Sequence, residues 1–121
     1  MNYNIKSMRA FIGAKEYETS RNFYRDLGFE EIVLFPNMSY FHMGNFGFYL
    51  QDAYVKDWVD NSMIFMEVDE LQKHFEHVQS LQLDQKYENV RLKSIVYNDW
   101  GNEFFLHDPS GILWHIGEFV N

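Results

Sequence analysis

Asp99-Trp100-Gly101-Asn102-Glu103-Phe104-Phe105-Leu106-His107-Asp108-Pro109-Ser110-Gly111-Ile112-Leu113-Trp114-His115-Ile116 is the stretch whose reading decides the fold. Two runs of alternating apolar and polar residues flank Asp108-Pro109-Ser110-Gly111, a pattern that predicts a strand, a tight turn and a second strand. His115 is a polar residue in an otherwise apolar strand. The face on which it lies is the question that organises the rest of the chain.

Working outward, Ser62 to Val68 reads as a strand. Asp69 opens a helix with Gln72 at the position of a capping-box partner and Leu71, Phe75, Val78 and Leu81 on one stripe. Arg91 to Tyr97 leads into the quoted hairpin. The first half runs in the same order. Met8 to Ala14 is a strand, and a helix follows from about Thr19 to Leu27, with Ser20, Phe23 and Leu27 on one face and Gly28 as its stop. Phe29 to Phe35 is the next strand, and Tyr40–Met43 and Phe46–Gln51 form a hairpin around Gly44-Asn45. Asp52 to Asn61 is an acidic connection with room for one helical turn. Two β-α-β-β-β units, about 6–51 and about 62–120, predict one α+β domain spanning residues 1–121, with about eight strands and both helices on one side.

With 121 residues, 46% of them hydrophobic, the chain suits one well-buried domain rather than two. It has no cysteine, which excludes disulfides, thiolate metal sites and thiol catalysis and fits a reducing compartment. Met1 to Lys6 lacks an apolar signal-like core, and no run approaches the roughly 18 apolar residues of a membrane span, so a cytoplasmic protein is expected. The net charge of −8 argues against nucleic acid and anionic membranes as partners and would attract a cationic small molecule. Aromatic residues at 19% of the chain leave rings available to line a pocket.

Strand alternation sorts residues by face. In the Gly44-Asn45 hairpin, Phe41, Met43, Phe46, Phe48 and Leu50 form an apolar face, opposite Tyr40, His42, Gly47, Tyr49 and Gln51. Met8, Ala10, Ile12 and Ala14 are likewise set against Arg9, Phe11 and Gly13, and Ile64, Met66 and Val68 against Met63, Phe65 and Glu67. In the last hairpin Phe104, Leu106, Ile112, Trp114 and Ile116 oppose Glu103, Phe105, His107, Leu113 and His115. The mixed face therefore carries Arg9, Phe11, Tyr40, His42, Tyr49, Phe65, Glu67, Glu103, Phe105, His107 and His115. Rings interleaved with ionisable groups suit a small-molecule pocket better than a solvated face.

The paired units, Phe23-Tyr24-x-x-Leu27-Gly28-Phe29 after the first helix and Asp108-Pro109-x-Gly111 before the last strand together resemble the vicinal oxygen chelate superfamily, which includes glyoxalase I, extradiol dioxygenases and bleomycin-resistance proteins. The resemblance implies a cupped, eight-stranded mixed sheet with helices on its convex side and pairing of two chains into a homodimer. The positions at which the superfamily's metalloenzymes place ligands fall here on Arg9, Tyr49, Met63 and His115, only one of which is an ordinary ligand for a catalytic divalent ion. The usual metal centre is thus expected to be absent, with no cofactor implied. Trp100-Gly101-x-Glu103-Phe104, Leu106-x-Asp108-Pro109-x-Gly111 and His115 are similar to the C-terminal hairpin of bleomycin-resistance proteins. That similarity implies a dimeric binder of an aromatic, cationic ligand, with Trp100 flanking the groove and His115 in its wall.

The expected binding residues are therefore Arg9, Phe11, Tyr40, His42, Tyr49, Phe65, Glu67, Trp100, Glu103, Phe105 and His115, with no catalytic residue and no metal. Three alternatives stay open. His42, His115 and Glu67 could assemble an atypical metal site in a glyoxalase-type lyase, isomerase or dioxygenase. Glu67 or Glu103 could act as a base, with Arg9 either aiding it or held in an ion pair with one of these carboxylates. The mixed face could also be the surface of a structural homodimer. His74 and His77 read as part of a solvated helix face.

Overall fold

The computed structural model describes residues 3–120; Met1, Asn2 and Asn121, included in the expected domain, lie outside the described residues. Two β-α-β-β-β units follow one another, as the sequence predicts. The first comprises β1 (Phe11–Gly13), α1 (Tyr17–Leu27), β2 (Glu30–Phe35), β3 (Met38–Met43) and β4 (Phe46–Gln51). A short helix α2 (Lys56–Asp60) connects it to the second, made of β5 (Met63–Glu67), α3 (Leu71–Ser80), α4 (Leu83–Lys86), β6 (Arg91–Tyr97), β7 (Gly101–His107) and β8 (Leu113–Phe119).

The eight strands form two four-stranded sheets, ordered β1-β4-β3-β2 and β5-β8-β7-β6. Both are mixed: β1 pairs parallel with β4 and β5 parallel with β8, while the other pairs are antiparallel. The first hairpin has the expected register, with Met43 opposite Phe46, Phe41 opposite Phe48 and Tyr40 opposite Tyr49.

The apolar faces of both sheets and helices α1 and α3 meet in one core. Tyr24, on α1, touches the rings of Phe29, just ahead of β2, of Phe41 and Phe48 in the first sheet and of Trp114 in the second. Phe48 meets Trp114 directly at 5.5 Å between ring centroids. Because side chains alternate across a strand, the mixed faces lie on the far side of each sheet from this shared core.

A buried polar link fastens the units. Asp108 Oδ1 accepts hydrogen bonds from the backbone N–H groups of Ser110, Gly111 and Ile112 at 2.8–2.9 Å, closing the turn that the Asp-Pro-Ser-Gly stretch predicts. Its Oδ2 accepts the Tyr24 hydroxyl at 2.6 Å, and Tyr24 Oη accepts the Trp114 indole N–H at 3.0 Å. Burial pushes the Asp108 carboxyl above its ordinary range while these donors pull it back. Burial and the neighbouring Asp108 push Tyr24 up.

Several local expectations are corrected. Met8 and Ala10 are exposed and precede a β1 of only three residues, because β1 is an edge strand with a single neighbour. Phe46, placed on the apolar face, is 83% exposed because it sits at the hairpin tip beside Gly44-Asn45, beyond the core. The Asp69/Gln72 capping box does not form. Glu70 takes the N-cap in a left-handed conformation (φ 55°) with no side-chain cap, and Glu118 from β8 accepts the Leu71 N–H at 2.8 Å.

Candidate functional site

On the first sheet the mixed face gathers Arg9, Phe11, Tyr40, His42 and Tyr49. Parallel pairing sets Phe11 beside Tyr49, and their rings stack at 4.8 Å. Antiparallel pairing sets Tyr40 beside Tyr49 at 5.5 Å, while Tyr40 stacks on His42 at 5.3 Å. The Arg9 guanidinium lies 4.0 Å above the Tyr40 ring and donates to Tyr49 Oη at 3.0 Å. His42 approaches Glu30 at 3.6 Å and the Gly44 carbonyl oxygen at 3.1 Å. Gly47 makes room for the Tyr40 ring, since a Cβ there would stand 2.6 Å from a ring carbon.

The second sheet carries Phe65, Glu67, Trp100, Glu103, Phe105 and His115. His115 Nδ1 lies 2.8 Å from Glu103 Oε1, its Nε2 lies 3.5 Å from the Met63 sulfur, and Phe105 meets its ring edge-on at 5.1 Å. Asn98 donates to the other Glu103 oxygen at 3.5 Å. Beside this pair, Phe65, Trp100 and Phe119 form a ring triad with centroids 5.5–6.2 Å apart, each about half exposed at 42%, 42% and 56%. Gly117 admits the Phe65 ring, with which a Cβ would collide at 2.9 Å. Glu67, exposed on β5 opposite Gly117, has no ion-pair partner among the described residues.

The expected binding residues thus fall into two clusters on separate outer faces. No hydrogen bond or ring contact joins the clusters among the described residues. Arg9 pairs with tyrosines rather than Glu67 or Glu103, which corrects the expected ion pair. The atypical metal site is not assembled: His42 sits with Glu30, His115 with Glu103, and no group of three or more His, Asp or Glu side chains is placed to hold a metal among the described residues. The four positions indicated by the superfamily resemblance instead form two touching pairs, Arg9 with Tyr49 and Met63 with His115. Phe119 and Asn98 were missed. Extending the alternation of Leu113, His115 and Gly117 by one step would have found Phe119; Asn98, in a loop, carries no such signal.

No protein-family model and no curated protein sequence matches the chain. Solved structures do match, at low identity. A bleomycin-binding protein complexed with bleomycin shares 14% identity at a TM-score of 0.79, covering 96% of this chain and all of that one. The bleomycin-binding protein of Streptomyces verticillus, complexed with copper(II)-bleomycin, shares 18% at 0.74 over 93% of this chain and 96% of its own. A lactoylglutathione lyase from Agrobacterium tumefaciens shares 15% at 0.70, over 94% of each chain. The fold is the one common to bleomycin-binding and glyoxalase-type proteins, as the resemblance to the vicinal oxygen chelate superfamily implies.

Proposed function

We propose that this protein is a metal-independent small-molecule binder, sequestering an aromatic, cationic ligand in a groove between two copies of the chain, in the manner of bleomycin-binding proteins. The carrying observation is the half-exposed triad of Phe65, Trp100 and Phe119 beside Glu67 and Glu103. Rings of this size are unfavourable in water, stack on planar ligand groups and attract cations through their faces. The net charge of −8 adds a long-range pull in the same direction. Each copy also leaves Phe11 and Met63 exposed on its outer faces. A homodimer that sets the first face of one copy against the second face of the other would cover both and enclose a groove.

The test is a titration with metal-free bleomycin followed by tryptophan fluorescence. Binding should quench or shift the emission, and Trp100→Phe should remove most of the signal while buried Trp114 and remote Trp58 remain. Absence of binding up to about millimolar ligand, a free energy of only about −4 kcal/mol, would reject drug sequestration. Sedimentation of the ligand-free protein as a monomer at micromolar concentration would reject the two-copy groove.

A further inference from the structure

We infer that the first outer face is an oxyanion-recognising subsite in which Arg9, seated on Tyr40 and anchored by Tyr49, takes a carboxylate or phosphate carried by an aromatic ligand. The inference rests on the small-molecule-binding reading and narrows the ligand class. A ligand bound between the two kinds of face is zwitterionic, with its anion on Arg9 and its cation beside Glu67 and Glu103.

The four arginines are not equivalent. Arg21 bonds Glu18 and Glu31, Arg25 bonds Glu31 and Asn22, and Arg91 donates to the backbone carbonyls of Glu88 and Val90. Arg9 and Arg91 both lack a carboxylate partner among the described residues, but where Arg91 is taken up by two backbone carbonyls, Arg9 meets only side chains, the Tyr49 hydroxyl and the Tyr40 and Tyr49 rings. The chain has 18 acidic residues against 10 Lys and Arg, so scarcity of carboxylates does not explain this.

A guanidinium presents five N–H donors in a planar fork matched to two oxygens of a carboxylate or phosphate. One hydrogen bond to Tyr49 leaves most of that capacity unused. Stacking on Tyr40 and the bond to Tyr49 restrict the side chain before any ligand arrives, lowering the ordering cost that a free surface arginine would incur on binding. The seat is set by the backbone, because only glycine at 47 leaves space for the Tyr40 ring. Phe11, stacked on Tyr49 and 60% exposed, provides an aromatic shelf beside the cation. An anionic group attached to a planar ring fits both features.

The test measures binding of 2-naphthoate, 2-naphthyl phosphate, neutral 2-naphthamide and 2-naphthylmethylammonium by calorimetry, with the Arg9 Nε–H and Tyr49 ring resonances as site reporters. The two anions should bind about tenfold more tightly than the amide, the scale of one charge-assisted hydrogen bond. Arg9→Gln should erase that preference, and Arg9→Lys, which keeps charge but loses the fork, should retain part of it. Naphthylmethylammonium should ignore Arg9→Gln and weaken in Glu103→Gln. If naphthamide matches naphthoate, or the anion preference survives Arg9→Gln, the inference falls while the small-molecule reading stands. If none of the four probes binds, that reading fails and the inference fails with it.

Discussion

The two units share topology, strand order and the same pairing of first with last strand, yet present different chemistry at matching positions. At corresponding places, where the parallel strand pair meets the mixed face, the first unit sets Arg9 against Tyr49 and the second sets Met63 against His115. Aromatic neighbours hold the first pair as an uncompensated cation, while the second adjoins the carboxylates Glu67 and Glu103. Duplicated backbone geometry supplies two equivalent platforms, and the side chains upon them decide what each can recognise. Their inward faces differ far less, since both are apolar and merge into a single core.

That shared core gives the most severe way to break the comparison. Trp114, 3% exposed, packs on Tyr24, Phe29 and Phe48 across the boundary between units. Trp114→Ala should cost about 3–5 kcal/mol. Both wild type and variant should unfold in one transition, with far-UV dichroism and fluorescence coincident; two resolved transitions would show that the units are independent.

The glycines behind the two ring seats offer a sharper contrast. An added Cβ at Gly47 meets the Phe41 carbonyl oxygen at 2.4 Å as well as the buried Tyr40 ring, whereas at Gly117 the nearest atom is the tip of the half-exposed Phe65 ring at 2.9 Å. Gly47→Ala should therefore cost about 2–3 kcal/mol and Gly117→Ala about 1 kcal/mol. In the second variant Phe65 swings aside, so the emission of neighbouring Trp100 should change without loss of the fold. Equal destabilisation by chemical denaturation would contradict the difference drawn between the seats.

The smallest effect concerns acid. Burial pushes the Glu31 carboxyl up, but hydrogen bonds from Arg21, Ser39 and Arg25 outweigh it and hold the group below its ordinary value. Its stabilising contribution is present above the ordinary carboxylate range and is lost as pH falls through the folded-state value. Asp108, raised by burial, behaves oppositely, its contribution being full at low pH and fading as pH rises. Melting temperature should fall less steeply with acidification in Glu31→Gln than in wild type, a difference of about 1 kcal/mol between pH 7 and pH 3. Parallel pH profiles would remove Glu31 as the cause.

The two units, the Gly44-Asn45 hairpin and the faces of the first strand and closing hairpin of each unit were legible because they depend on local rules: a period of two in strands, a helical stripe, and glycine at a turn or helix end. Tyr40, Tyr49 and His115 fall on the predicted face for that reason. The α3 start was misread because a distant carboxylate, Glu118, supplies what Asp69 and Gln72 do not. Phe46 was misplaced because alternation gives the side of the sheet but not the depth to which the core extends.

The sequence by itself determined which residues of the sorted strands share a face, and the resemblance to the vicinal oxygen chelate superfamily implied that its metal-ligand positions hold Arg9, Tyr49, Met63 and His115. Only the tertiary structure decided that the apolar faces of the two sheets meet one another, sending the mixed faces outward as separate surfaces. Strand periodicity is local and cannot reveal which sheet covers which; that depends on packing of Tyr24, Phe48 and Trp114, residues distant in the chain that close a common core. The same long-range packing separates Arg9 from Glu67 and Glu103, placing the guanidinium and these two carboxylates on different faces.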